Sequence, residues 1–246
     1  MQVQGKRAVV TGGGSGIGLV IAQALADAGC TVLITGRTES RLVEAAATRE
    51  NISHAVCDVT DEAVVVALRD RVEADGGCDL LINNAGVMHR YDVTSDFSLA
   101  KKLQEIDIDA SGPVRMVHHF LPGMLRREAA IVNVSSGLAF VPFSQAPVYS
   151  GTKAFLHAYT QSLRAQLAGT SVSVVELMPP VVDTPMVAEL DPSFSRMPPE
   201  ELAAAFMKGL AKGTLEITPG QSSQLRFMRR AAPGFIFGQL NKQARP

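Results

Sequence analysis

Three side chains in the middle of the chain have the chemistry to move a proton on or off an oxygen if the fold brings them together: Ser136, Tyr149 and Lys153. Tyr149 and Lys153 are four residues apart in a segment with helical periodicity, so both leave one face of a helix. A free phenol, with a pKa of about 10, is a poor acid or base at neutral pH. An ammonium one turn away favours the phenolate and lowers that value. Ser136 ends an apolar run (Ile131, Val132, Val134) that reads as a buried strand. A hydroxyl at its tip could bond a carbonyl or alcohol oxygen held beside Tyr149, which makes the group suited to proton transfer at a carbinol oxygen. Tyr-x-x-x-Lys alone also occurs on ordinary surface helices, so the reading depends on the elements around it.

Those elements form a regular series. Residues 6–11 are a short apolar run, read as a first strand. Gly12-Gly13-Gly14-Ser15-Gly16-Ile17-Gly18 follows, and then a helical apolar pattern through Val20, Ile21, Ala24, Leu25 and Ala28. Strand, glycine loop and helix are the context in which backbone approaches a pyrophosphate and a helix N-terminus receives its charge. Residues 31–35 read as a second buried strand, ending in Gly36-Arg37. An acid at that end would accept from the ribose 2′-hydroxyl of NAD, whereas the Arg37 guanidinium suits a 2′-phosphate, so NADP(H) is favoured over NAD(H). Further strands are expected at 52–57, 79–82, 131–134 and 172–177, with helices at 40–49 and 61–75 (Asp61 as N-cap) and a short last strand at 215–218. Strands alternating with helices specify an α/β doubly wound parallel sheet of the Rossmann type, with helices on both faces. In such sheets ligands lie beyond the strand C-termini. The glycine loop, Arg37, Asp58, Asn83 and Ser136 all stand there.

The chain has 246 residues, 46% hydrophobic and 19% charged, with a formal net charge of −1. That supports one sizeable domain over 1–246 and argues against nucleic acid as the main partner. Cys30, Cys57 and Cys78 are too few and too scattered for a disulfide framework or a zinc site, so no metal is expected and a reducing, cytoplasmic setting fits. No signal-peptide core and no apolar run of about 20 residues is evident.

With these residues in place the chain resembles the short-chain dehydrogenase/reductase family. The resemblance rests on Thr11-Gly12-x-x-x-Gly16-x-Gly18, Asn83-Asn84-Ala85-Gly86, Ser136 and Tyr149-x-x-x-Lys153, in the family's order and over roughly residues 6–186. It implies an NAD(P)-dependent enzyme passing a hydride between nicotinamide and a carbonyl or secondary alcohol. It also implies Tyr149 as general acid/base, Ser136 orienting the substrate oxygen, and Lys153 holding the nicotinamide ribose and lowering the phenol pKa. Gly12, Gly14, Ser15, Gly16 and Gly18 would shape the pyrophosphate loop, with a backbone contact from Ile17. Asp58 and Val59 would flank the adenine, while Asn83, Ala85 and Gly86 would approach the adenosine side through backbone atoms. Pro179, Val182 and Thr184 would meet the carboxamide. A homodimer or homotetramer is implied.

Two positions depart from the family pattern. Asp109 stands where the family usually has an Asn that holds a relay water; ionised, it opposes a Tyr149 phenolate. Pro179-Pro180 replaces the more usual Pro-Gly and stiffens that backbone. Leu138-Ala139-Phe140-Val141-Pro142, residues 178–184 and Ala232-Pro233-Gly234-Phe235-Ile236-Phe237 are similar to the subgroup named for the oxidoreductase linked to D-alanylation of teichoic acids.

A mobile substrate lid is expected over about 185–212. The C-terminal tail, about 221–246, is expected to pack near the cleft or on a second subunit, with a membrane surface the less favoured partner. His118, His119 and His157 read as structural. Two other functions stay open: a regulator or scaffold that senses NADP(H) without turnover, towards which only Asp109 leans, and an NAD-dependent alcohol dehydrogenase, which differs only at Gly36-Arg37. The substrate is a small molecule that the composition does not name.

Overall fold

In the computed structural model, which describes residues 1–242, seven parallel strands run in the order β3-β2-β1-β4-β5-β6-β7. They are β1 (Arg7–Thr11), β2 (Thr31–Gly36), β3 (Ile52–Val56), β4 (Leu80–Asn83), β5 (Ala129–Val134), β6 (Val172–Leu177) and β7 (Glu216–Ile217). The helices are α1 (Gly16–Asp27), α2 (Glu39–Ala46), α3 (Glu62–Ala74), α4 (Leu99–Ile106), α5 (Gly112–Met124), α6 (Pro147–Gln166), α7 (Pro199–Ala211), α8 (Gln221–Ala231) and α9 (Pro233–Leu240). This is the expected doubly wound sheet. Asp61 caps α3 as its sequence suggests, accepting from the Val64 amide at 3.2 Å.

The central strands are apolar at almost every position because both faces of the sheet are covered. Alternate residues serve opposite layers. Val10, Ile34, Ile82 and Val132 pack under α1 and α7, while Val9, Leu81, Ile131 and Val174 pack under α3, α5 and α6. Register holds these rows together: Val10 pairs with both Ile34 and Ile82, and Ile82 with Val132.

One expectation changes here. The lid placed over 185–212 includes α7, but α7 is a core helix: Leu202 and Phe206 are fully buried against α1 and the sheet. Its apolar residues supply the layer that strands buried on both faces require. The segment before α7 is clamped at its base, where Asp183 N–H donates to the Met197 carbonyl at 3.0 Å and Met197 N–H to Val181 at 2.8 Å. The tail forms α8 and α9 and is pinned to its own domain. Asn241 accepts from the Ser144 amide at 2.7 Å and donates to the Pro142 carbonyl at 3.1 Å. The last part of the expected tail, 243–246, lies outside the described residues.

Asp107–Ser111 is a π-helical turn that joins α4 and α5 into one continuous rod. Such an insertion re-aims the side chains around it. Among the described residues no helix is long and apolar enough to cross a membrane.

Phe206→Ala removes a ring from the sealed layer that α1 and α7 form on the sheet. We expect a loss of about 3–5 kcal/mol, read by urea denaturation; a lid helix would show almost none.

Candidate active site

The order of strands reverses between β1 and β4, and a crevice opens at their carboxyl ends. Gly12 turns the chain out of β1 with φ +67°, and a Cβ there would lie 2.9 Å from the Ala85 Cα. Gly18 lets α1 approach so closely that a Cβ would meet the Gly12 carbonyl at 2.3 Å. The N-cap of α1, Ser15, makes no side-chain capping bond, so the first-turn amides face the crevice uncapped. Thr184 stands across the loop; a Cβ on Gly16 would touch its side chain at 3.4 Å. A cradle of bare backbone in front of a helix N-terminus fits a dinucleotide pyrophosphate.

Gly14, Ser15, Gly36, Arg37, Asp58, Val59, Ala85 and Gly86 line the far half of the crevice. Arg41, one turn after Arg37, lines it too. Among the described residues neither guanidinium is engaged by a carboxylate. Asp58 is held by Thr60, whose amide and hydroxyl both donate to its Oδ1.

The near half is a cavity of about 530 Å³. Ser136, Tyr149 and Lys153 meet in its wall, with Ile17, Pro179, Val182 and Thr184 on the side next to the glycine loop. Ser136 Oγ accepts from the Leu138 amide at 3.1 Å. The Lys153 ammonium lies 5.2 Å from the Tyr149 ring centroid, donates to the Val134 carbonyl at 3.2 Å and stands 3.5 Å from Asp109 Oδ2. Asp109, in the π turn, also accepts from the Val87 amide at 2.8 Å, tying the loop after β4 to the helix rod.

Sequence reasoning missed Glu105. One turn before Asp109, it is fully buried, and its Oε1 accepts from the His89 amide at 3.0 Å. Its signal was available: Glu105 and Asp109 are spaced to share a helix face. Burial pushes the Glu105 carboxyl up to about 7, and the Asp109 charge pushes the same way against the His89 amide and Lys153. Burial likewise lifts Asp109 above the usual carboxylate range, with Lys153 and the Val87 amide pulling back. Desolvation works against the Lys153 ammonium, but Asp109 and Tyr149 outweigh it and hold it above its ordinary value.

The phenol differs from expectation. Lys153 does pull the Tyr149 pKa down, but desolvation is the larger effect and Asp109 and Glu105 add to it, so the phenol lies above its ordinary value. The sequence reading set Asp109 against the phenolate but took no account of the burial of the ring or of Glu105 behind it.

The Asn83 side chain is buried and turned inward, donating to Asn133 Oδ1 at 2.8 Å. The neighbouring Asn84 lines the cavity instead and donates to the carbonyls of Thr11 and Gly12. His157 is structural, its Nδ1 2.9 Å from the buried Glu176 Oε2. The three cysteines are free and buried, and burial pushes the Cys30 thiol up to about 11.

The family model described as short chain dehydrogenase matches residues 6–193. An uncharacterized oxidoreductase, DltE of Bacillus subtilis (strain 168), is 37% identical over 250 residues, covering 99% of each chain. The structure of a short chain dehydrogenase from Burkholderia cenocepacia J2315, in complex with NADP, superposes with a TM-score of 0.87 at 26% identity, covering 98% of this chain and 99% of that one. A short chain dehydrogenase/reductase from Burkholderia phymatum, in complex with NAD, shares the fold with a TM-score of 0.85 at 24% identity, covering 95% and 96%. The chain belongs to the short-chain dehydrogenase/reductase family and is an oxidoreductase similar to DltE.

Glu105 gives stability a defined pH dependence. Its folded value, about 7, exceeds the ordinary 4.5, so between these values the native state binds more protons than the unfolded chain. Stability therefore falls as pH rises through that window. Urea denaturation from pH 5 to 8 should show Glu105→Gln sparing roughly 2–3 kcal/mol of that fall. An identical slope in both proteins would show that Glu105 ionises freely.

Proposed function

We propose that the protein is an NADP(H)-dependent oxidoreductase that interconverts a carbonyl compound and a secondary alcohol, with Tyr149 giving and taking the proton. The observation that carries this reading is the meeting of Tyr149, Ser136 and Lys153 in the wall of a cavity continuous with the uncapped glycine loop.

When bound, the nicotinamide supplies or accepts the hydride at the carbinol carbon. In the reductive direction the Tyr149 hydroxyl gives its proton to the substrate oxygen as that carbon is reduced, leaving a phenolate; oxidation reverses the transfer. Ser136 donates a hydrogen bond to the same oxygen and fixes its position. The Lys153 ammonium stabilises the phenolate. Asp109 keeps the lysine cationic and anchored, at the cost of a negative charge that raises the phenol.

Arg37 and Arg41 support the choice of NADP(H). Both stand at the adenosine end of the crevice, at the tip of β2 and in α2, with Gly36 where an acid would serve NAD.

The chain contains no Trp, so the emission of reduced nicotinamide reports binding directly. Titration should show NADPH binding more tightly than NADH. The double change Arg37→Ala, Arg41→Ala should weaken NADPH about tenfold or more and leave NADH nearly unchanged, the loss of one or two charge-assisted contacts. Tyr149→Phe should bind NADPH as the wild type does and fail to oxidise it with any ketone. A preference for NADH, or turnover by Tyr149→Phe, refutes the corresponding half of the reading.

Leu99, Leu103 and Ile106 lie exposed at i, i+4 and i+7 on α4, which packs beside α6 with its exposed Phe155. We read this stripe as the face on which a second copy sits. Sedimentation should give a multiple of 26.1 kDa for the wild type and a smaller species for Leu103→Glu.

A further inference from the structure

Beyond the part beside the glycine loop that the nicotinamide would take, the cavity continues from Tyr149 under α8 and α9, and its walls there are selective. Phe143, Val187 and Leu190 form an apolar floor on which the Tyr149 ring itself packs. Leu225 and Met228 of α8 and Ile236 of α9 form the roof. Among the described residues Lys153 is the only charged side chain in the lining, and it is already engaged by Asp109 and the Val134 carbonyl. Polar side chains cluster at the cofactor end, save Gln221 and Gln224 on α8. Phe235 lines the cavity and yet is 59% exposed, which puts it at the mouth.

We propose that the substrate is an uncharged, largely apolar ketone or secondary alcohol whose hydrocarbon part extends from the reacting carbon under α8 and α9. The proposal rests on the oxidoreductase reading above and adds the class of molecule. A carboxylate or phosphate would enter with no free cation to meet it. A polyol would lose water at each hydroxyl and find, apart from Gln221 and Gln224, hydrocarbon in its place. An alkyl or aryl group would gain from every carbon buried between floor and roof.

NADPH oxidation by the full chain with 2-alkanones from butanone to decanone, beside erythrulose and acetoacetate as hydroxylated and anionic ketones of small size, tests this. We expect kcat/KM to rise about three- to fourfold for each added methylene until the cavity is full, the fold-change that corresponds to about 0.8 kcal/mol. Erythrulose and acetoacetate should fall below the middle of the series. Met228→Lys places a charge in the roof and should flatten the series. Phe227→Lys, on the outer face of the same helix where the side chain is 68% exposed, should leave it steep. A preference for erythrulose or acetoacetate overturns the substrate class while keeping the oxidoreductase. Displacement of the neutral dye Nile red provides a measure independent of turnover. If no ketone is reduced, decanone displacing the dye from the wild type and not from Met228→Lys upholds the apolar site and removes the proposed chemistry. Failure of decanone to displace it where erythrulose does overturns the apolar site.

Discussion

The parallel pairing of β1 with β4 is the constraint on which the rest depends. β4 is not the next strand in sequence after β1, so the chain must leave for β2 and β3 and cross back. The crossings on either side then diverge, and a crevice opens above the carboxyl ends of the two strands. The glycine loop falls at the tip of β1, and the Asn84-Ala85-Gly86 turn at the tip of β4. Thr11 joins the two: its hydroxyl accepts from the amides of both Asn84 and Ala85 at 3.0 Å. The site is therefore a by-product of strand order, and sequence changes along the helices alter what enters it more than where it lies.

Within that crevice the protein accepts an electrostatic conflict. Two acids and one lysine are buried behind the phenol, and the acids are both lifted above their ordinary range. Burying a lysine requires a partner, and Asp109 provides one; the expense falls on the phenol, which is left harder to ionise. Glu105 has a different use. By accepting the His89 amide it fastens the start of the loop after β4, as Asp109 does at Val87. The same carboxylates thus serve as loop anchors and as unfavourable neighbours.

The strands, the glycine loop and the Ser136, Tyr149, Lys153 group were legible in the sequence because each is local: a run, a spacing, a turn. What escaped was set by tertiary packing. Arg41 carries no signal of its own until α2 turns it toward Arg37. Asn83 and Asn84 are indistinguishable as text, and only the alternation along β4 sends one inward and the other to the cleft. The residues of α7 were grouped with the cover expected over about 185–212, yet their apolar face was needed to seal the sheet. Glu105 was readable in its spacing from Asp109, but its burial depended on a neighbouring helix.

The π turn at Asp107–Ser111 makes the helix rod sensitive to a small genetic event. An α-helix advances about 100° per residue. Losing a single codon within those five positions would restore regular winding and let α4 and α5 persist as helices. It would also swing α4 around the rod axis relative to α5. Glu105 would leave its place under the loop and the Leu99, Leu103, Ile106 stripe would turn away from Phe155, both in one step. Pocket and outer face are mechanically geared through this one extra residue, so a lineage that drops it must rebuild both together.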